Sequence, residues 1–592
     1  MDRQSTIGFI LIFVILVVWM WVNSPQPKQQ PKEQAKKQEQ IKDSTVIQAK
    51  NLENVSTSHE INTFGKFFTG CEKGKEKIIT IETDLYRAEL TSKGGLLRKW
   101  ELKKFVNWNG QPVQLISDNK GELAVILTTT DGRVVNTKDL YFDVYTTKEQ
   151  IKVEGNFEFE ILFTLTTSNG GKLEKTMKFK NGEYGFEQSI QLKNFGAIIA
   201  NYQYEVSWEN GIPYAEYNSV DESGFATAHA FTADELMSID ATKAGEKVQK
   251  EYTGSIDWIA TCNKYFAVAI IPMTNASEGA YLEGSCKSAP NEGLVETYGM
   301  WLKMPYKGSL NESITYKIFL GPLQHSDLKS YGKGLENIMS LGWAWLVRPI
   351  SEYIMLPVFT AIHYIVPNWG LVIIIFSILI KIVLHPLSKS QMTSMKKMQK
   401  LQPLMDELRE KYKNDQQKMN QSIMNLYKEY GINPAGGCLP LLLQLPIMYA
   451  LYSVFRGAIE LRQASFIWWI NDLSIPDVIY KLPAKLPLIG IQEISGIALL
   501  MGITMFVQTK MTTKDPRQKA MVWIMPIMMT FLFNGFPAGL NLYYAIFNIL
   551  SIGQQVLINK KHDDEPLRKV EVKKKNRGGI FKFTKDMPRL KK

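Results

Sequence analysis

The sequence predicts a multi-domain membrane protein in which a large all-β domain precedes an α-helical transmembrane bundle. Three observations support this prediction. Residues 77–330 alternate apolar and polar side chains between glycine turns, as in "FEFEILFTLTT" and "SNGG", which is typical of an antiparallel sandwich. Residues 366–558 contain repeated apolar runs of membrane character. The charge is local, since 13 Lys/Arg against 5 Asp/Glu follow Asn559 in a chain of formal net charge +11.

The N-terminal segment, residues 1–22, is predicted to be a transmembrane anchor. Its apolar run "IGFILIFVILVVWMWV" follows Arg3, and no small-x-small cleavage site comes after it. We therefore expect an uncleaved anchor with its N-terminus in the cytoplasm. Residues 23–76 begin with a stretch rich in Gln, Lys and Pro, and we expect a disordered tether there.

The β domain carries no recognisable catalytic motif. Its sequence lacks HExxH, GxSxG and a phosphate-binding glycine loop. The candidates for chemistry, Asp221, Glu222 and His229, show no catalytic spacing, so we expect surface or loop roles for them. Large sandwiches often bind sugars, and a carbohydrate site stays an open alternative.

Cysteine usage argues against a metal site and against a disulfide scaffold, and no cofactor is expected. The four cysteines show no CxxC spacing. An extracytoplasmic location would permit a bond between Cys262 and Cys286, which the sequence leaves open. The cysteines are Cys71, Cys262, Cys286 and Cys438.

Residues 335–365 indicate an amphipathic helix that lies in the membrane interface. The segment is apolar, but Arg348 and Glu352 interrupt it and tryptophans stand near its start. A helix with this pattern is better suited to the interface than to crossing the bilayer.

Five apolar segments follow, and together with the anchor they predict six spans. The first lies in "GLVIIIFSILIKIVLHPL". Two of the others are well short of the ~20 residues that a ~30 Å hydrocarbon core requires, so we expect a thinned bilayer around them. The four later segments are 438–455, 495–507, 521–533 and 540–558.

Charge predicts the sides of the membrane. The loops 388–434 and 509–520 and the tail 559–592 are basic, which places them in the cytoplasm by the positive-inside rule. The β domain, 77–330, then lies in the periplasm of a bacterium with two membranes. The basic tail is also expected to attract anionic lipid or RNA.

The 388–434 loop is periodic and predicts a cytoplasmic helical hairpin. Apolar residues step by three and four along each arm, and "KNDQQ" separates the arms. The methionines either fill the core of the hairpin or form a soft surface for varied apolar segments. The periodic positions are Met398, Leu401, Met405, Leu408 and Tyr412, then Met419, Ile423, Leu426 and Tyr430.

Lys381 lies inside the first of the five apolar segments, where a lysine costs about 2.5–3.5 kcal/mol. Ser377 lies one turn before it on the same helix face, and Tyr544 is one of several polar groups in the later segments. Helix–helix hydrogen bonding explains any one of these groups. Together with the lysine they predict a wet, polar interior.

Four motifs resemble those of the YidC-type membrane protein insertases: "NWGLVIIIFSILIKIVLHPLSKSQMTSMKKMQKLQP", "INPAGGCLPLLLQLPIMYALY", "ELRQASFIWWINDLS" and "FPAGLNLYYAIFNILSIGQQVLI". They occur in order between residues 340 and 560. Two further motifs, "KGGLLRKWELKKF" and "WIATCNKYFAVAII", resemble the periplasmic domain of the Gram-negative members. The resemblance implies that this domain is a β-supersandwich without a catalytic role.

The resemblance also implies a hydrophilic groove among five helices, the insertase core of residues 366–558. The groove is open to the cytoplasm and to lipid, and it usually holds an arginine where this chain has Lys381. Lysine is a point charge, so bidentate binding of a carboxylate is not expected. The positions carried over are Ser377, Lys381 and Tyr544 in the groove, and Met448, Met501 and Leu532 on the substrate-sliding face.

The implied function is insertion and folding of nascent membrane proteins in the bacterial inner membrane, without an enzymatic reaction. The resemblance implies work with the Sec translocon, the ribosome and the signal recognition machinery, and contact of the tail with ribosomal RNA is a further expectation. One alternative is a polytopic transporter that uses Lys381 as a substrate or proton site, although the spans show no internal repeat. The other is a periplasmic sugar-handling enzyme on a membrane anchor, which leaves the polar-lined spans unexplained.

Overall fold

The chain forms two compact units, Met1–Ser340 and Leu341–Lys592, in the computed structural model. The structure describes residues 64–562 and residue 569, apart from 118–119, 147, 274–276, 291–292, 433–438, 486–489 and 514–518. The predicted anchor, the tether as far as residue 63 and nearly all of the basic tail lie outside the described residues.

The end of the predicted tether differs from expectation. Gly65–Phe68 form a short helix, α1, whose phenylalanines are buried. The N–H of Tyr141 donates to the carbonyl oxygen of Cys71 over 2.7 Å. Residues 64–76 therefore belong to the first unit, because the adjacent phenylalanines gain free energy by leaving water.

Twenty strands make up most of the described part of the first unit, together with the short helices α2 (Ser219–Ser223) and α3 (His325–Tyr331). The strands are β1 (Ile78–Glu82), β2 (Tyr86–Thr91), β3 (Leu96–Val106), β4 (Pro112–Gln114), β5 (Ala124–Thr129), β6 (Val134–Asn136), β7 (Asp143–Val144), β8 (Gln150–Lys152), β9 (Glu158–Thr166), β10 (Lys172–Lys180), β11 (Gly185–Lys193), β12 (Ile199–Trp208), β13 (Thr227–Thr232), β14 (Glu235–Ile239), β15 (Lys247–Thr253), β16 (Trp258–Cys262), β17 (Phe266–Pro272), β18 (Gly279–Ala289), β19 (Gly293–Pro305) and β20 (Asn311–Pro322).

These strands form three sheets. The five-stranded sheet has the order β4-β3-β2-β1-β8, and the nine-stranded sheet has the order β14-β13-β16-β17-β20-β11-β10-β9-β7. The six-stranded sheet has the order β15-β18-β19-β12-β5-β6. Neighbouring strands pair antiparallel, for instance β10 with β11, whereas β1 pairs parallel with β8. The predicted β domain followed by a helical region is confirmed.

Aromatic side chains join the sheets. Tyr86 stacks on Trp100 with ring centroids 3.8 Å apart, and Trp100 Nε1 donates to the carbonyl oxygen of Leu320 over 3.1 Å. The bond of Trp100 links the five-stranded sheet to the nine-stranded sheet, because Leu320 lies on β20. The hydroxyls of Tyr204 and Tyr316, 3.2 Å apart, link the six-stranded sheet to the nine-stranded sheet. The core is thus continuous across all three sheets.

A buried lysine holds the turn of the "SKGG" motif. Lys175 is fully buried, and its Nζ donates to the carbonyl oxygens of Gly94 (2.9 Å), Gly95 (3.3 Å) and Leu123 (3.0 Å). Burial lowers the pKa of Lys175 to about 7. The two glycines have φ of 78° and 56°, a conformation that glycine adopts without strain, which accounts for the glycine pair.

The residues singled out in the β domain have structural partners. Asp221 Oδ2 accepts from Lys264 Nζ over 2.7 Å. His229 is buried on β13, where its Nε2 lies 3.6 Å from the Sγ of Cys262. Burial lowers the pKa of His229 to about 4 and raises the pKa of Cys262 to about 11, so both groups are neutral. Cys262 and Cys286 are free thiols, and the disulfide left open by the sequence is absent.

Glu222 gives the β domain a pH-dependent stability. The carboxylate is buried and accepts the N–H groups of Ala215 (3.0 Å) and Glu216 (2.8 Å). Burial raises the pKa of Glu222 to about 8, whereas glutamate in an unfolded chain has a pKa of about 4.3. Between these values the folded state binds more protons than the unfolded state, so the free energy of unfolding falls as the pH rises.

We expect the wild-type domain to lose stability relative to Glu222→Gln between about pH 5 and about pH 8, by up to about 1.4 kcal/mol per pH unit. Glutamine has nearly the same shape and does not titrate. Its amide nitrogen faces one of the two N–H donors, which shifts stability by an amount that does not depend on pH, so the pH dependence of the difference isolates the titration. Calorimetric unfolding of the full chain in detergent measures the difference. A difference that stays constant across this pH range would contradict the assignment.

The second unit is mainly helical. Two short strands, β21 (Val478–Lys481) and β22 (Glu493–Ser495), pair between its helices. The helices are α4 (Val347–Ile350), α5 (Leu356–Ile365), α6 (Trp369–Val383), α7 (His385–Lys400), α8 (Gln402–Lys411), α9 (Gln416–Glu429), α10 (Leu439–Gly457), α11 (Gly496–Thr512), α12 (Lys519–Phe533) and α13 (Ala538–His562).

The predicted interfacial helix over 335–365 forms only in its second part. Leu335–Ile338 form a 3-10 turn in the first unit. In the second unit α4 and α5 are continuous through a π-helical segment, Ser351–Met355, so one helix runs from Val347 to Ile365. Gly342 has φ of 94°, which is incompatible with a helix that runs through it from the first unit.

Across the part of the chain that the structure describes, no individual helix combines the length and apolar character that crossing a bilayer requires, but α6 and α7 do so as a pair bent by 65°. Pro386 lies in the first turn of α7, and because it has no N–H it cannot bond to the carbonyl oxygen of Ile382, one turn back in α6. The six spans stay a prediction.

The segment 388–434 contains the end of α7, α8 and α9. Tyr427 Oη on α9 donates to Met405 Sδ on α8 over 3.1 Å, and the connection between these helices is four residues long, so the two pack antiparallel. Met405 and Met419 are buried. Pro403 lies in the first turn of α8, where the missing N–H of proline ends α7 and begins a separate helix.

Residues 458–495 connect α10 to α11, and the buried carboxylate of Asp477 bonds to residues that come before and after it in this connection. Asp477 accepts from Trp469 Nε1 (2.9 Å), from Ser495 Oγ and from the N–H of Ile497 (2.8 Å). The last bond places a negative charge at the start of α11, where the helix dipole favours it.

The same connection joins other helix ends. The ring of Phe466 packs on Gly370 at the start of α6, and the N–H of Gly539 at the start of α13 donates to the carbonyl oxygen of Leu473 over 2.9 Å. Asn534, just after α12, accepts the N–H of the residue before α11 over 2.9 Å. The starts of α6, α11 and α13 and the ends of α10 and α12 therefore lie on one side of the second unit.

Candidate functional site

Helix α6 carries Lys381 in its last turn. The Asn368 side chain caps the start of the helix by accepting the N–H of Leu371 over 3.0 Å. A cation in the last turn interacts favourably with the helix dipole. Lys381 is only 8% exposed, so its ammonium group has left most of its water and needs other partners.

Two residues of α13 supply those partners. Lys381 Nζ donates to Ser551 Oγ over 2.6 Å and lies 4.5 Å from the centre of the Phe547 ring. Ser551 Oγ in turn donates to the carbonyl oxygen of Phe547 over 2.8 Å, which leaves its lone pairs facing the lysine. Within the described residues, Lys381 has no acidic partner. A hydroxyl and an aromatic face thus hold a buried cation without neutralising it.

Ser551 belongs to a polar stripe along α13. Tyr544, Asn548, Ser551 and Gln555 are spaced by four, three and four residues, which places them on one helix face. Asn548 Nδ2 donates to Thr504 Oγ1 on α11 over 3.4 Å. The stripe extends from the Tyr544 ring, past the lysine, towards the end of the helix.

Several buried polar atoms in this region have no hydrogen-bond partner among the described residues. Buried polar groups of this kind are normally satisfied, often by water. All five of these atoms belong to α13, and each would need water or a bound chain to complete its hydrogen bonds. The atoms are Asn541 Oδ1, Tyr543 Oη, Tyr544 Oη, Gln554 Oε1 and Gln555 Oε1.

The three groove residues expected from the sequence have different surroundings. Ser377 is fully buried and its Oγ donates to the carbonyl oxygen of Ile373, one turn back on the same helix, over 2.7 Å. The ring of Tyr544 packs edge-on against Phe533 of α12, with centroids 5.1 Å apart. The hydrogen bond of Lys381 goes to Ser551 instead.

Sequence reasoning missed Ser551 and Phe547. The signal was available, because Ser551 lies seven residues after Tyr544 and so shares its helix face. A lysine within a membrane segment requires a polar partner on a neighbouring helix, and Ser551 on α13 is such a residue.

The residues expected on the sliding face are also not equivalent. Met448 on α10 is 36% exposed and Leu532 on α12 is half-buried. Met501 on α11 is only 2% exposed. Met448 and Leu532 can therefore contact another chain directly, whereas Met501 packs within the protein.

Helices α11 and α12 approach closely near Met501. Thr530 Oγ1 donates to the carbonyl oxygen of Pro526 over 2.8 Å, and it lies against Gly502. A Cβ at Gly502 would overlap with this hydroxyl and would lie 3.2 Å from the Cβ of Thr530. The glycine is therefore required for the close contact of the two helices.

Two family models cover both units of the chain. Residues 78–353 match the model described as the YidC periplasmic domain, and residues 361–565 match the model described as 60Kd inner membrane protein. The membrane protein insertase YidC of Chlorobaculum parvum is 39% identical over 573 residues, which cover 95% of this chain and 96% of that protein. The chain belongs to the YidC family of membrane protein insertases.

A second curated relative agrees with this assignment. The membrane protein insertase YidC of Chlorobaculum tepidum is 38% identical over 572 residues, with 95% of this chain and 96% of that protein covered. A solved structure of an active YidC insertase with its first transmembrane domain resolved has 20% identity and a TM-score of 0.34, and the match covers 83% of this chain and 93% of that chain.

Membership of the family tests the expectations about location, substrates and enzymatic activity. This insertase is an inner membrane protein with a periplasmic domain, and membrane proteins are its substrates. It is not an enzyme, which removes the sugar-handling alternative. The resemblance inferred from the motifs is confirmed.

Proposed function

We propose that Lys381, Ser551 and the unpartnered polar atoms of α13 form a hydrophilic groove that receives the polar outer segment of a nascent membrane protein. The observation that carries this proposal is the buried ammonium group of Lys381, held by a hydroxyl and a ring without an acidic partner in the described residues. A cation left in this state retains its attraction for an incoming carboxylate.

Electrostatics gives the groove its selectivity. A carboxylate about 4 Å from an ammonium group is attracted by about 4 kcal/mol at an effective dielectric constant of about 20, and by about 1 kcal/mol in bulk water. The groove lies between these limits, so an acidic residue in the translocated segment is drawn in at moderate strength. Because lysine is a point charge, the contact imposes little orientation on the client.

The apolar segment of the client takes a different path. Met448 on α10 is exposed and Leu532 on α12 is half-buried, and these two apolar side chains lie on the third and fifth of the proposed spans. The client's hydrophobic segment slides along this face into lipid. Met501 is buried and does not form part of this face.

The proposed topology has six spans, with both termini, the 388–434 hairpin and the basic tail in the cytoplasm. Helices α6, α11 and α13 start where α10 and α12 end, as the contacts of residues 458–495 require. That alternation supports five consecutive crossings after the β domain. The basic loops lie at the opposite ends of these helices, which supports a cytoplasmic location for them.

The driving force comes from partition of the client into lipid and from the membrane potential. The potential contributes about 2.3 kcal/mol per charge per 100 mV. The polar groove and a thinned bilayer shorten the apolar path that the client's outer segment must cross.

The proposed partners are the Sec translocon, the ribosome with the signal recognition machinery, and anionic lipids. The tail 559–592 has 13 Lys/Arg against 5 Asp/Glu after Asn559, a charge that suits ribosomal RNA or anionic headgroups.

Depletion of the protein from cells tests the proposed function against the transporter alternative. After depletion, we expect newly made small membrane proteins with short outer segments to remain uninserted in the cytoplasm, because the groove is no longer present to receive those segments. Pulse-labelling with protease protection measures their insertion, and a soluble periplasmic protein is the control. Normal insertion together with accumulation of a solute would identify a transporter instead.

A further inference from the structure

The connection between α10 and α11 exposes apolar side chains. Trp468 is 81% exposed, and the others are between about two-fifths and three-fifths exposed. The stretch 463–471, "QASFIWWIN", contains no charged residue. We call the exposed set the apolar loop surface; its residues are Ile467, Trp468, Ile475, Ile479 and Tyr480.

The backbone of Trp468 adopts an unfavourable conformation. Its φ is 52°, and the left-handed conformation costs a non-glycine residue roughly 1–2 kcal/mol. The backbone is fixed by hydrogen bonds from the N–H of Ile470 to the oxygen of Ile467 (3.1 Å) and from the N–H of Phe466 to the oxygen of Ile470 (2.9 Å). Local strain of this kind points to a role for the exposed ring.

The loop is rigidly attached beneath this surface. Trp469 lies 5.7 Å from the Trp468 ring, nearly parallel to it, and its indole donates to the buried Asp477. Phe466 packs on the first turn of α6 at Gly370. The apolar loop surface is therefore fixed to the starts of α6 and α11.

The exposed apolar area continues from the loop down these two helices. Leu371 in the first turn of α6 is exposed, and so are Leu499 and Leu500 near the start of α11. In an inner membrane protein such helix faces contact lipid. Tryptophan and tyrosine at the ends of membrane helices favour the boundary between headgroups and hydrocarbon.

We propose that the apolar loop surface inserts into the outer leaflet of the bilayer and sets the depth of the outer ends of α6, α11 and α13. The partner is lipid at the boundary between headgroups and acyl chains. The choice of the outer leaflet rests on the topology given under the proposed function. By fixing the outer ends of short helices, the loop contributes to the thinning of the bilayer beside the groove.

The test uses the full chain in vesicles, with its native cysteines replaced by serine and one new cysteine carrying an environment-sensitive dye. The sites are Trp468→Cys and Ile475→Cys, the second of which keeps the tryptophan. The control is Leu310→Cys, because Leu310 in the β domain is 80% exposed and matches Trp468. Nitroxide-labelled lipids, with the label near the headgroup and confined to one leaflet, and aqueous iodide are the two quenchers.

We expect outer-leaflet nitroxide lipids to quench the dye at 468 and 475, and iodide to quench it at 310. Adding Trp468→Ser and Ile467→Ser to the Ile475→Cys chain should shift the dye towards water. Quenching by iodide at 468 and 475, or protection from both quenchers by a covering protein surface, would overturn the proposal. Quenching by nitroxide lipids in the inner leaflet would overturn the proposed orientation of the loop in the membrane. The insertion activity of the same variants is measured separately and tests the proposed function.

Discussion

Lys381→Met is expected to reduce insertion of clients whose translocated segment carries Asp or Glu by at least about tenfold, which corresponds to about 1.4 kcal/mol. The reason is that the ammonium group is the one cation placed against Ser551 and Phe547, and methionine keeps much of the length of the side chain without the charge. Lys381→Arg should remain active. Clients with uncharged outer segments should tolerate methionine, because a thinned bilayer still shortens their path.

The measurement is insertion of matched clients, with acidic or neutral outer segments, into vesicles that carry each variant. Ser551→Ala is the matched control, since it keeps the charge and removes one hydrogen bond, worth roughly 1.5–3 kcal/mol because one partner is charged. Its effect should be similar for acidic and neutral clients. Equal insertion of acidic clients by the wild-type protein and by the Lys381→Met variant would contradict electrostatic attraction and would favour a purely structural role for the lysine.

Gly502→Ala is expected to destabilise the helical unit and to impair insertion of every client. The new Cβ would overlap with Thr530 Oγ1, whose position is held by its bond to the carbonyl oxygen of Pro526. Overpacking of a close helix contact typically costs about 1–3 kcal/mol. Thermal unfolding in detergent and insertion with acidic and neutral clients measure the two effects.

A second substitution makes this prediction specific. Thr530→Ala removes the hydroxyl that the new methyl group would meet, so the double variant with Gly502→Ala should recover most of the lost stability. Thr530→Ala alone is the control and should have a smaller effect than Gly502→Ala. If the double variant is no more stable than Gly502→Ala, the close contact of α11 with α12 is not the cause of the loss.

The sequence predicts the β domain and the helical region because their patterns are local. Alternating strands between glycine turns and long apolar runs each carry their own signal. The end of the tether was misassigned because Phe67 and Phe68 are buried in the β domain, where the N–H of Ser168 donates to the carbonyl oxygen of Phe67 over 2.9 Å. The interfacial helix was drawn too long because its first four residues pack in the other unit.

The candidate site was predicted only in part. Lys381 is conspicuous because a charge in an apolar segment is costly. Its partners are less visible, since Ser551 lies on another helix and serines are common in membrane helices. The burial of Met501 and the close approach of Gly502 to Thr530 both depend on how the helices pack, which no periodicity within α11 reveals.

The central claim is that a client's polar outer segment passes through the groove while its apolar segment follows the outer face. Site-specific photo-crosslinking to a stalled client tests it most directly, with the crosslinker at Ser551 or Tyr544 in the groove and at Met448 or Leu532 on the face. The account predicts crosslinks from 551 and 544 to the polar outer segment, and from 448 and 532 to the hydrophobic segment. Crosslinks from all four positions to the hydrophobic segment alone would contradict it.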